Sequence, residues 1–94
     1  MNELVKAVKI FRKMVISECD EWNNISEPDR YNYIAKIMKE IRDNYNISLL
    51  SLFIQADKAF DRSNYEILIV DFSYSDLFKI IDLMEKYASN WIFK

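Results

Sequence analysis

Along the first twenty-two positions the residues Leu4, Val8, Phe11, Val15, Cys19 and Trp22 recur at steps of three and four. An α-helix turns once in about 3.6 residues, so this spacing predicts one apolar stripe on a helix from Asn2 to Trp22. Lys6, Lys9 and Lys13 fall on the opposite side. Ser26-Glu27-Pro28-Asp29 then opens a second helix. Ser26 can cap it, Pro28 suits a first turn whose amides have no helical partner, and Asp29 completes a capping-box-like arrangement. Tyr31, Ile34, Met38, Ile41 and Tyr45 predict the buried stripe of this helix, with Ile37 beside it. Asn44 to Asn46 reads as its end, because asparagine tolerates the left-handed conformation that glycine would otherwise supply.

From Ser48 to Phe60 the chain is apolar at Leu49, Leu50, Leu52, Phe53, Ile54, Ala56, Ala59 and Phe60. Apolarity on nearly every side predicts the most buried helix of the set. Asp57, Lys58 and Asp61 bring its C-terminal end to water, where two acids oppose the helix dipole at a cost of a few tenths of a kcal/mol each, in order of magnitude. Between Arg62 and Tyr74 lies the β-branched run Ile67-Leu68-Ile69-Val70, which suits a strand, an extended crossing segment or a helical turn. No second convincing strand exists to pair with it, which favours a packed connection or a short helix. Ser75 is expected to cap the last helix, Asp76 to Trp91, with Leu77, Ile80, Ile81, Met84, Tyr87, Ala88 and Trp91 on its buried face. Four helices joined by short links predict an all-α fold, a compact antiparallel four-helix bundle in one domain over residues 1–94. A short irregular or extended segment is expected near residues 63–74. Long heptads and internal repeats are absent, which argues against an extended coiled coil.

Composition sharpens this picture mainly by what is missing. With 51% hydrophobic and 15% aromatic residues in 94, the chain has the apolar surface to fold without a metal or disulfide. It contains no His, the usual general base near neutral pH and the commonest metal ligand. It contains no Gly, so phosphate-cradling loops and nucleophile elbows lose their usual residue. Its one Cys, Cys19, excludes an internal disulfide and a cysteine-rich zinc site, and on the apolar stripe it reads as a small core residue. Asp57 and Asp61, four apart, share a helical face, a spacing a cation could use, but no further ligand converges on them. The expectation is a protein that binds a partner, with no catalytic residue, metal or cofactor. No stretch approaches the roughly 20 apolar residues that span a bilayer, and Lys6, Lys9, Arg12 and Lys13 interrupt any leader-like run. A free thiol and the lack of an export signal point to the cytoplasm.

Charge locates the binding surface. Residues 1–45 hold eight basic and eight acidic side chains. Residues 46–73 hold Asp57, Asp61, Glu66 and Asp71 against Lys58 and Arg62, and Asp76 follows. The formal net charge of −2 therefore arises in and after the third helix. Tyr65, Phe72 and Tyr74 interleave with these acids. Such a mixture suits an interface with a basic protein, although an ordinary solvated surface has the same composition. Direct nucleic-acid binding is disfavoured by the acidic balance.

The run Leu52-Phe53-Ile54-Gln55-Ala56-Asp57-Lys58-Ala59-Phe60, followed by Asp61-Arg62-Ser63-Asn64-Tyr65-Glu66-Ile67, resembles the colicin D-type immunity proteins and the immunity partners of contact-dependent inhibition toxins. The shared pattern is a Leu-Phe pair, an acid four after the Phe, an aromatic three later, then Tyr-Glu-Ile, with a final amphipathic helix over 76–87. The likeness covers roughly residues 49–87. It departs from the pattern in a shorter link between Phe60 and Tyr65 and in the apolar run 67–70. The resemblance implies a small acidic helical protein that covers the active site of a nuclease toxin, typically a tRNA-cleaving one. By position it implies Asp57, Asp61 and Glu66 as the acids of that surface and Tyr65 as its aromatic. With the charge pattern, the expected partner-binding residues are Asp57, Asp61, Tyr65, Glu66, Asp71, Phe72, Tyr74 and Asp76. Two other readings stand beside this one. A membrane-associated immunity protein would use Lys6, Lys9, Arg12 and Lys13 of the first helix. A helical adaptor or inhibitor would bind some other host complex.

Overall fold

The computed structural model describes residues 2–18, 22–60 and 73–91, and within these it leaves out the side chains of Glu27, Pro28, Tyr31, Asp57, Lys58, Ala59, Phe60 and Trp91. Four α-helices follow in order: α1 (Glu3–Glu18), α2 (Glu27–Tyr45), α3 (Leu50–Phe60) and α4 (Tyr74–Trp91). No strand occurs among the described residues. The fold is all-α, an antiparallel four-helix bundle, as the periodicity predicts.

Contacts between the helices fix their directions. Asn2 at the start of α1 donates its side-chain amide to the Ala88 carbonyl near the end of α4. Arg12, ten residues on, reaches back to Asp82 and Glu85. Residue numbers rise along α1 while they fall along α4, so these two helices are antiparallel. At the other end of α1, Trp22 packs edge-on against Tyr33 of α2 with ring centroids 5.9 Å apart, and its carbonyl accepts the Arg30 Nε–H at 3.0 Å. The end of α2, at Tyr45, returns beside Glu3, Lys6, Ala7 and Ile10 of α1. The chain then crosses to α3, whose Phe53 meets Phe11 edge-on at 6.3 Å. Hence α3 runs alongside α1 in the same direction, and α4 comes back against α3.

One apolar core joins all four helices. It contains Ala7, Val8, Phe11 and Val15 from α1, Ile34, Ile37 and Ile41 from α2, Leu52, Phe53 and Ala56 from α3, and Leu77, Ile80, Ile81, Met84 and Ala88 from α4. Trp22 and Leu49 complete it from the connections. Among the described residues no polar or charged side chain is buried. The core is therefore held chiefly by burial and close packing of apolar side chains.

Several details differ from the periodicity-based expectation. The first helix is described over Glu3–Glu18 and does not include Trp22, which lies on a short 3-10 turn, Trp22–Asn24, closed by the Ile25 amide on the Trp22 carbonyl at 3.1 Å. Trp22 still fills the core because its indole completes the apolar stripe from outside the helix. Leu4, at the other end of that stripe, is half-buried and packs against the core edge. Cys19 lies outside the described residues.

On α2 the side chain of Tyr31 lies outside the described ones. Among the described side chains Ile34, Ile37 and Ile41 are buried and Met38 is half-buried, while Tyr45 is 52% exposed. The helix ends there: Asn46 adopts the left-handed conformation at φ 56° and donates its N–H to the Arg42 carbonyl at 2.8 Å. After that reversal Leu49 is fully buried in the core. At the start of α2 the Ser26 hydroxyl donates to the Asp29 carboxylate at 2.7 Å and makes no bond to a helix amide. The two side chains thus pair with each other, and the full capping box does not form.

The third helix begins at Leu50, two residues later than expected, and it is not buried on every side: Leu50 is 55% and Ile54 45% exposed. An outer helix in a four-helix bundle has a face that no neighbour covers, and these two aliphatics occupy it. The last helix is capped by Ser73, not Ser75. The Ser73 hydroxyl accepts the Asp76 N–H at 3.2 Å, and the Asp76 carboxylate accepts the Ser73 N–H at 3.2 Å. This reciprocal bond needs a carboxylate three residues after the cap. From Ser73 that residue is Asp76; from Ser75 it would be Phe78, which cannot reciprocate. Tyr87, expected on the buried face of α4, is half-buried.

Candidate partner-binding surface

The topology brings the two described ends of the predicted surface together. Asp57 lies one helical turn, about 6 Å, beyond Phe53, which meets Phe11. It therefore falls in the half of the bundle that holds the end of α1 and the turn Trp22–Asn24. The start of α4 falls there too, because the Tyr74 N–H donates to the Asn23 side-chain oxygen at 3.1 Å. The backbone of Asp57 and the residues Tyr74 and Asp76 share one end of the bundle. Asp61, Tyr65, Glu66, Asp71 and Phe72, together with the run 67–70, lie outside the described residues, as does the side chain of Asp57.

Tyr74 and Asp76 both have work inside the fold. The Tyr74 ring packs edge-on against Phe78 at 4.8 Å. The Arg12 guanidinium sits over the other ring of this pair, 5.8 Å from the Phe78 centroid. Asp76 is half-buried and its carboxylate closes the cap of α4. A partner can still reach both side chains, but a contact there would compete with bonds that fix the first turn of α4.

A second feature escaped the sequence pattern. Leu50 and Ile54, read as core, are exposed on the outward face of α3. Steps of four and three residues return to the same face of a helix, so Asp57 continues the line from Leu50 and Ile54. Ser51 and Gln55 flank it, and no charge occurs between Leu50 and Ala56. The result is an exposed apolar pair on this face of α3. The signal that separates these positions from Leu52, Phe53 and Ala56 lies in which neighbours cover the helix, and residue type does not carry it.

The basic face of α1 is largely matched from within. Lys6 pairs with Glu3 at 3.6 Å, Lys9 with Glu85 at 4.0 Å, and Arg12 with Asp82 and, at 3.5 Å, Glu85. Lys13 is exposed. Carboxylates beside three of the four cations reduce the field that an anionic surface would feel. Among the described residues no three His, Cys, Asp or Glu side chains gather as metal ligands, and no helix is long and apolar enough to cross a membrane.

No family model matches the chain, and neither a curated protein nor a solved structure matches it.

Proposed function

We propose that the protein is an immunity-type inhibitor: it binds a cognate nuclease toxin domain, of the tRNA-cleaving kind, and covers its basic active site. The observation that carries this reading is the exposed aliphatic pair Leu50 and Ile54 on α3. Tight inhibition requires desolvated apolar contacts as well as charge, because exposed rim charges contribute little to affinity. The two aliphatics supply that contact. On this reading Asp57, Asp61, Glu66 and Asp71, with Tyr65 and Phe72, supply the acidic and aromatic part of the contact. Inhibition by occlusion needs only a rigid scaffold, which the continuous core of four helices provides.

Co-production with a nuclease toxin, sought among the genes that neighbour its own, tests the proposal. Cells making both proteins are expected to survive, and purified chain is expected to suppress tRNA cleavage at equimolar toxin. Undiminished killing together with undiminished cleavage would overturn the reading. The membrane-associated alternative draws on the same α1 cations that Glu3, Asp82 and Glu85 already accompany. It predicts co-sedimentation with anionic vesicles at physiological salt, whereas the inhibitor reading predicts none. The adaptor alternative predicts a partner other than a nuclease.

A further inference from the structure

No further inference is drawn: the strongest candidate, the small pocket that Ala7 and Ile10 of α1 form with Tyr45 and Ile47 at the turn between α2 and α3, is a partly apolar recess, and nothing in the structure shows what covers it.

Discussion

Ser73 and Asp76 exchange two hydrogen bonds across the first turn of α4, each side chain accepting the other's backbone N–H. Loss of a helix N-cap costs about 1 kcal/mol. For a domain of this length that corresponds to a fall in Tm of about 4–8 °C. Ser73→Ala is therefore expected to lower the melting temperature by that amount in a circular-dichroism melt. Ser75→Ala, at an exposed position inside the helix, should stay within about 0.5 kcal/mol of the parent. A larger loss in the Ser75 variant would contradict the assignment of the cap. Asn46 makes the opposite kind of demand, on backbone and not on side chain. At φ 56° a Cβ is strained by roughly 1–2 kcal/mol unless a short polar side chain eases it. Asn46→Ala should destabilise by about 1 kcal/mol, while Asn46→Gly should be neutral or slightly stabilising in urea unfolding. Equal effects of the two substitutions would show that the left-handed turn is not what Asn46 contributes.

At the scale of elements, α1 and α4 are joined by more than their apolar faces. Arg12, with about a quarter of its side chain exposed, lies over Phe78 and beside both Asp82 and Glu85. Exposed ion pairs are worth about 0.2–1 kcal/mol and an exposed cation–π contact about 0.5–1 kcal/mol, so neither dominates. They respond differently to salt. A double-mutant cycle of Arg12→Ala with Glu85→Ala should give a coupling of a few tenths of a kcal/mol that shrinks in 1 M NaCl, where charges are screened within about 3 Å. The cycle of Arg12→Ala with Phe78→Leu should keep more of its coupling, because the guanidinium also covers the ring. A salt-insensitive Arg12–Glu85 coupling would mean that the pair is not electrostatic. The same seam shows what the sequence could and could not reveal. Periodicity alone located α1, α2 and α4 and nearly all of their core residues, since burial of one face repeats every turn. It placed Asn46 at a helix end for a stereochemical reason that is local. It missed the exposure of Tyr45, Leu50 and Ile54, because whether an aliphatic faces the core or water on an outer helix depends on which neighbours pack against it. It placed the cap at Ser75, whereas the reciprocal bond needs a carboxylate three positions after the cap, which Ser73 has in Asp76. Of the predicted partner surface, the described residues give the backbone position of Asp57 and the contacts of Tyr74 and Asp76.

For the whole molecule, stability and binding are separable. The core residues lie on the inner faces of all four helices, so truncating one acts on folding. Phe11→Ala removes a ring packed against Phe53, and such deletions cost about 3–5 kcal/mol, a large part of the roughly 5–15 kcal/mol a domain possesses. Leu50 and Ile54 face water, so Leu50→Gln and Ile54→Gln should leave the melting temperature almost unchanged. If α3 carries the toxin contact, the two groups of residues must give opposite phenotypes. The glutamine variants should weaken toxin binding in calorimetry, each by tenfold or more if the side chain is a central anchor, since anchors are worth about 2 kcal/mol or above. Asp57→Lys should weaken binding too, but through the association rate, and it should flatten the dependence of that rate on ionic strength. Loss of rate without loss of lifetime at Asp57, against loss of lifetime at Leu50 and Ile54, would divide the surface into a steering end and an anchoring stripe. Unchanged affinity in all three folded variants would move the interface away from α3, and the inhibitor would then have to grip its partner through another face of the bundle.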